Sequence, residues 1–271
     1  MTDRKFRFGI VGGAPDLAAW TGLARRAEEL GYDTLLSPDP QVDVDPFTLL
    51  SAAFAVTSTL RVGTFVAVDA LRDRRHLAWQ ARSLHKLSGG RFELGLGTGR
   101  PEAERQAAAL GREFGGGARR RAALAETIAH LKETGDRPPL LLAAGGPKMR
   151  ELAAREADTV TMAWLPRTTT EEAASIVDDF RAAAGERWPE IELAVNLLAY
   201  GDEPAPWLER FIGTSVPELA AAHAVTVLTG TPRQAAETLR EWRERLGISY
   251  VTVNSGYLEQ FAPVVEELRG T

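Results

Sequence analysis

The chain has 271 residues, with 32 Lys and Arg against 37 Asp and Glu and a formal charge of −5 at pH 7. Hydrophobic residues at 44% and charged residues at 25% exclude wholesale disorder, which needs few apolar side chains and high net charge, and the mild acidity argues against a nucleic-acid surface. The absence of cysteine removes disulfides, thiolate nucleophiles and Cys-bound zinc or iron–sulfur centres from consideration.

Phe6 to Val11 reads as a strand that follows Met1–Lys5 with no apolar signal core between. Asp16 caps a helix to Leu30, with Leu17, Trp20, Leu23, Ala24 and Ala27 at helical spacing, and Gly31 stops it. Thr34–Ser37 is the second strand, and Pro46 opens a helix over Phe47–Thr57. Arg61–Val66 is a strand, Arg75–Leu87 a helix ended by Ser88-Gly89-Gly90, and Phe92–Leu96 a strand. Two helices follow, Glu102–Leu110 and Arg119–Thr134, with Gly115-Gly116-Gly117 between them. Next come strand Leu140–Ala143, helix Pro147–Glu156, strand Thr159–Met162, helix Thr170–Ala184 and strand Ile191–Tyr200. A helical stretch over Pro206–His223, helix Pro232–Leu246, strand Tyr250–Asn254 and helix Leu258–Leu268 close the chain.

Eight strands, each followed by helix, predict a parallel sheet. Within this length they point to one closed (β/α)8 barrel domain over residues 1–271. No stretch approaches the about 18 uninterrupted apolar residues of a spanning helix. The expectation is a cytoplasmic protein with a small-molecule substrate and neither membrane nor nucleic acid as partner.

In such a barrel the functional groups come from the C-terminal strand ends. That selects Gly12, Gly13, Ser37, Asp39, Val66, Asp69, Thr98, Arg100, Gly145, Gly146, Trp164, Asn196 and Asn254. Gly95-Leu96-Gly97-Thr98-Gly99-Arg100 is no dinucleotide fingerprint, because its glycines alternate and Arg100 takes the place of the last one. Its glycines either admit a close backbone approach to a ring or fit a crowded barrel core. Ala143-Ala144-Gly145-Gly146-Pro147-Lys148-Met149 joins a strand to a helix. Exposed N–H groups at a helix start attract anions, so this segment is read as a phosphate subsite, with an ordinary turn as the alternative. Gly63–Arg72 is a buried strand and a polar loop whose spacing demands no function.

His76, His85, His130 and His223 fall inside predicted helices, with no spacing suited to a metal. They are read as surface or packing residues, and no metal site is expected. Arg119-Arg120-Arg121 reads as a solvated face, with an anionic tail as the alternative partner; Asp45 reads as a helix cap. Gly-x-Ser-x-Gly and Walker A motifs are absent.

Taken together, several segments resemble the bacterial luciferase-like family of flavin- and deazaflavin-dependent oxidoreductases, most of all its F420-dependent members. They are Ala27-Glu28-Glu29-Leu30-Gly31-Tyr32-Asp33-Thr34-Leu35, Leu60-Arg61-Val62-Gly63-Thr64, and the run from Leu84 through Leu-Ser-Gly-Gly-Arg to Gly99. Ala143-Ala144-Gly145-Gly146-Pro147, Ala153–Asp158 and Thr229-Gly230-Thr231-Pro232 complete the series, in order along nearly the whole chain.

The resemblance implies a variant barrel, often a homodimer, that holds coenzyme F420 or FMN over its C-terminal mouth. It implies a bulge with a non-prolyl cis peptide at Phe65–Val66 behind the ring, and Ala143, Ala144, Gly145 and Gly146 on the phosphate side. Asp39 falls where the family contacts the ring's polar edge, and Thr98 and Arg100 where it lines the ring and substrate space. Three features depart from deazaflavin sugar-phosphate dehydrogenases. Asp39-Pro40 replaces their Asp-His pair, Arg100 stands in place of a glutamate, and Leu131–Pro139 leads almost directly into the fifth strand, shortening the excursion between strands four and five.

The leading expectation is F420-dependent hydride transfer. In that reading Asp39, Phe65 and Val66 position the ring, Gly145 and Gly146 hold the phosphate, and Arg100 holds an anionic or carbonyl substrate. Arg100 and Asp39 are the catalytic candidates, and no acid–base residue is named. The first alternative is an FMN-dependent monooxygenase supplied by a flavin reductase. The second is a non-catalytic flavin-binding barrel.

Overall fold

The two sequence periods become alternating elements in a computed structural model that describes residues 4–39, 44–201 and 213–271. In chain order they are β1 (Arg7–Val11), α1 (Leu17–Glu29), β2 (Thr34–Ser37), α2 (Pro46–Phe54), β3 (Arg61–Thr64), β4 (Ala67–Val68), α3 (Arg74–Leu87), β5 (Phe92–Gly97), α4 (Ala103–Ala109) and α5 (Gly117–Glu133). There follow β6 (Leu140–Ala144), α6 (Pro147–Glu156), β7 (Thr159–Met162), α7 (Thr170–Ala184), β8 (Glu192–Leu197), β9 (Ala199–Tyr200), α8 (Val216–Ala221), β10 (Val227–Leu228), α9 (Pro232–Leu246), β11 (Ile248–Asn254) and α10 (Leu258–Leu268). Among the described residues no helix is long and apolar enough to cross a membrane.

The sheet runs β3-β2-β1-β11-β8-β7-β6-β5-β4, and a further β3–β5 pairing closes it. With β3 and β4 as two halves of one strand, this is the expected eight-stranded parallel barrel inside a helical shell. Only α4 and α5 separate the fourth barrel strand from the fifth.

Strand alternation sorts the side chains. On β1, Phe8 and Ile10 join the large core under the helices, whereas Val11 joins Leu36, Leu141, Ala194 and Tyr250 inside the barrel. Gly9 is required there, because a Cβ would stand 2.4 Å from Thr34 Oγ1. Arg7 donates to Glu93 at 2.6 Å and to Glu192 at 2.8 Å, and Arg61 also bonds Glu93. These four residues lie at the first or second position of β1, β3, β5 and β8, so they plug the N-terminal end of the barrel. Burial opposes the Arg7 charge, but Glu93 and Glu192 outweigh it and hold the guanidinium firmly protonated.

The helix ends follow from their caps. Asp16 and Asp45 accept from Ala19 N–H at 2.8 Å and Thr48 N–H at 2.9 Å, and Thr169 and Thr231 complete capping boxes. Glu28 on α1 ties the shell to the barrel. Its Oε1 accepts from the N–H groups of Ser58, Thr59 and Leu60 at 2.9, 2.6 and 2.9 Å, just before β3. Burial alone raises the Glu28 carboxyl, but those donors more than offset it and hold the group below its usual value.

A depressed carboxylate stabilises above its unfolded pKa, and the gain is lost as pH falls through the folded value. Glu28→Gln is therefore expected to cost about 1–2 kcal/mol at pH 7. In urea titrations the gap to wild type should close below about pH 4. A gap independent of pH would rule out the charge as its source.

Three expectations need correction. The third strand, read from periodicity over Arg61–Val66, is interrupted after Thr64 and resumes at Ala67, where the resemblance implied a bulge. The strand expected over Ile191–Tyr200 breaks at Leu198, and β9 leaves the barrel to pair with β10, which periodicity did not mark. Of the helical stretch over Pro206–His223, α8 is seen and residues 202–212 lie outside the described set, as do Pro40 and Asp43. His223 lies beyond α8 at φ 51°, in a turn.

Candidate functional site

The C-terminal mouth is organised by an extra residue in the third barrel strand. Val62 and Gly63 pair with Phe92 and Glu93, whereas Ala67 and Val68 pair with Leu96 and Gly97. Four steps on one strand therefore match three on the other, which defines a β-bulge; such bulges bend a strand and re-aim side chains beside active sites. Phe65–Val66 lies within it and is a cis peptide, as expected from the resemblance.

The bulge turns Phe65 and Val66 toward the barrel interior, against the cluster of Leu36, Leu141, Ala194 and Tyr250. The opposing strand makes room. A Cβ on Gly95 would lie 1.9 Å from the Thr64 carbonyl oxygen, and one on Gly97 would lie 2.8 Å from Val66 Cγ2. The alternating glycines are thus required by the neighbouring strand, which is the crowded-core reading of that segment.

Above Val66 the inward positions are small or polar. Ala143 lies 3.7 Å from a Cβ built on Gly97, and Thr252 Oγ1 donates to Asn196 Oδ1 at 2.9 Å. Ala144 shares the outward face with Leu142, and its methyl is buried in the helical shell. Ser37 shares the outward face with Leu35, and its buried Oγ has no partner among the described residues.

Asp39 stands beside the bulge, 8% exposed. Its Oδ2 accepts from the Val68 N–H at 2.8 Å and from Arg72, which adds a second bond to Oδ1 at 3.2 Å. Arg72 also reaches Asp45 at 3.5 Å and lies over the Phe47 ring at 5.2 Å. The carboxylate thus braces the segment that follows the bulge. Sequence reasoning passed over Arg72, since no local spacing marks a contact made 33 residues away.

Gly145 and Gly146 are exposed at the start of α6, which has no side-chain cap. Among the described residues a Cβ on Gly146 would meet nothing within 4 Å, and one on Gly145 only ordinary contacts from 3.6 Å. These glycines keep open space beside uncapped N–H groups. Trp164, two residues beyond β7, buries an indole Nε1 with no partner among the described residues. An open cradle at a helix start, a floor of small side chains and an orphaned donor fit a flavin-type cofactor with a phosphate.

The remaining candidates are placed differently. Thr98 is half-buried and Arg100 exposed on the turn after β5. Asn254 caps the following turn by accepting from Gly256 N–H at 2.9 Å. Gly12 is half the reason that turn packs closely, since a Cβ there would stand 2.6 Å from Ser255 Oγ. Gly13 is half-buried. Asp69 turns away from the mouth toward Thr127 of α5.

The chain belongs to the luciferase-like monooxygenase family, whose profile matches residues 5–210. The family's members are oxidoreductases and monooxygenases. A riboflavin lyase solved with modified FMN and riboflavin has a TM-score of 0.76 at 16% identity, over 97% of this chain and 92% of that one. The coenzyme F420-dependent tetrahydromethanopterin reductase from Methanopyrus kandleri has a TM-score of 0.73 at 17% identity, over 98% of each chain. A long-chain alkane monooxygenase has a TM-score of 0.75 at 16% identity, over 97% of this chain and 92% of that one. At these identities the likeness is one of fold. No curated protein sequence matches significantly.

Proposed function

We propose that this protein is an oxidoreductase that binds coenzyme F420 over the barrel mouth and moves hydride to or from a small organic substrate. The observation that carries the reading is the rim at Ala143–Pro147, where exposed glycines open an uncapped helix start beside a floor of small residues. When bound, the deazaflavin supplies the hydride chemistry, and the protein supplies position and electrostatics.

Val66 and Ala143 form the apolar floor, and the backbone of Gly145 and Gly146 holds the phosphate. Asp39, fixed by Arg72, stands at the polar edge, with Phe65 behind and Thr98 to the side. Arg100 is exposed, with no ion-pair partner among the described residues. It takes an anionic or carbonyl substrate, whose developing charge it stabilises. The F420-dependent reductase among the similar structures supports this reading.

The second reading is an FMN-dependent monooxygenase served by a flavin reductase. The similar fold of the FMN-bound riboflavin lyase favours it. A second copy of the chain is the proposed partner, since Trp79 and Leu87 of α3 are 64% and 82% exposed.

Calorimetric titration with F420 and FMN, on a sample whose mass is read by light scattering, tests all of this. Binding of F420 alone supports the hydride reading, and preference for FMN supports oxygen chemistry. Binding of neither leaves a barrel without turnover. Gly146→Ala is expected to leave stability unchanged, because its Cβ enters open space. Affinity for the preferred cofactor should fall about tenfold or more, as one charge-assisted contact is lost. Unchanged affinity would remove the phosphate from α6.

A further inference from the structure

A cavity of about 330 Å³ lies outside the mouth, between the segment that follows β4, the α4–α5 connection and the first half of α5. Its size is at the low end of the roughly 300–1,000 Å³ of small-molecule sites. Five arginines line it, and three are already matched by carboxylates: Arg72 by Asp39, Arg74 by Glu126 at 2.5 Å, and Arg119 by Glu113 at 2.7 Å.

Arg112 and Arg120 are not matched in this way. Arg112 donates to the carbonyls of Arg72 at 2.6 Å and Ala70 at 3.5 Å, and among the described residues no carboxylate lies within ion-pair distance. Arg120 lies over the Phe114 ring at 4.0 Å and donates to the Gly115 carbonyl at 2.5 Å, while its Nε is buried with no partner among the described residues. Both guanidinium groups are thus held in place by neutral groups, with donor capacity left over.

Besides Glu113, two carboxylates line the cavity. Asp73 is engaged as the cap of α3, accepting from the N–H groups of Arg75 and His76 at 2.9 and 3.1 Å. Asp69 is buried and engaged by Thr127, and that burial, partly offset by the threonine, pushes its carboxyl up. The start of α5 adds to the positive field. It has no side-chain cap and no acid in its first turn, and Arg119 and Arg120 stand in its place. Anions stabilise a helix start and cations oppose it.

We infer that this cavity is a second binding site, distinct from the mouth, for a small organic phosphate or carboxylate held by Arg112 and Arg120. The planar five-donor guanidinium suits an oxyanion of either kind. The site does not depend on the cofactor reading. It shares a wall with the mouth, since Arg112 bonds the Arg72 carbonyl while the Arg72 side chain braces Asp39.

Thermal melts of the full chain with inorganic phosphate or with citrate, each against sodium chloride at equal ionic strength, test the inference and separate the two anion classes. Saturable stabilisation of wild type is expected, with a Tm rise of about 3 °C at tenfold excess over Kd. Arg120→Gln and Arg112→Gln should each abolish it. Gly146→Ala at the mouth and Arg233→Gln on the exposed face of α9 should not. Equal melting in the chloride control overturns the site, and so does a response lost in Gly146→Ala but kept in Arg120→Gln. Arg120→Gln removes no carboxylate partner, so its fold is expected to persist if Arg112→Gln proves unstable.

Discussion

Glu93→Ala is expected to lower stability by about 3 kcal/mol, the lower end of the about 3–5 kcal/mol lost when one partner of a buried ion pair is removed. The residue is 4% exposed and receives Arg7 and Arg61 from two different strands. Without it both guanidinium groups stay at the end of the barrel, with Glu192 as the counter-charge left to Arg7. Arg7 and Arg61 keep 26% and 33% of their side chains in water, so solvent screens part of the loss. A fall in Tm of roughly 6–12 °C follows at about 2–4 °C per kcal/mol for a domain of this size. Cofactor affinity should be unaffected, because this plug lies at the N-terminal end, which serves stability in such barrels. Chemical denaturation and calorimetry on the same variant check both halves. A loss under 1 kcal/mol, or a large change in affinity, would contradict the assignment.

How much of this was legible in advance depends on the range of the interaction. The barrel follows from local periods: Asp16 and Pro46 start helices, Gly31 and Ser88-Gly89-Gly90 stop them, and the core-facing stripe of the first helix is readable from spacing. The bulge was not readable from Arg61–Val66, because a buried strand with one extra residue looks like any apolar run. Its trace lay on the neighbouring strand, in glycines at alternate positions. The break at Leu198 was equally hidden, since strand length is decided by the partner and β9 finds a different one. Resemblance placed Asp39, Phe65, Val66 and Ala143–Gly146 at the rim. Which of them face inward depends on register, and register turned Ala144 and Ser37 to the shell. Arg72 had no local mark at all, because its partner Asp39 lies 33 residues away in the chain; Arg120 was marked only as part of a charge run.

Alanine at Gly95 should be the most damaging of the small substitutions. The added Cβ meets the Thr64 carbonyl oxygen at 1.9 Å. That oxygen is backbone, and Thr64 Oγ1 is itself bonded to the Gly95 carbonyl at 2.7 Å, so relief requires moving two adjacent strands. The cost is expected at or above the upper end of the ~1–3 kcal/mol typical of overpacking. Cofactor affinity should fall with it, because the bulge that supports the floor is displaced. Gly97→Ala meets a methyl of Val66 at 2.8 Å, and a side chain can yield where a carbonyl cannot, so about 1–2 kcal/mol is expected. Gly146→Ala completes the series with no stability change. The contrast supplies its own control: Val66→Ala should recover part of the Gly97→Ala loss and less of the Gly95→Ala loss. Equal recovery in both double variants, measured by denaturant titration, would mean that the Val66 side chain rather than the Thr64 backbone is what both glycines accommodate.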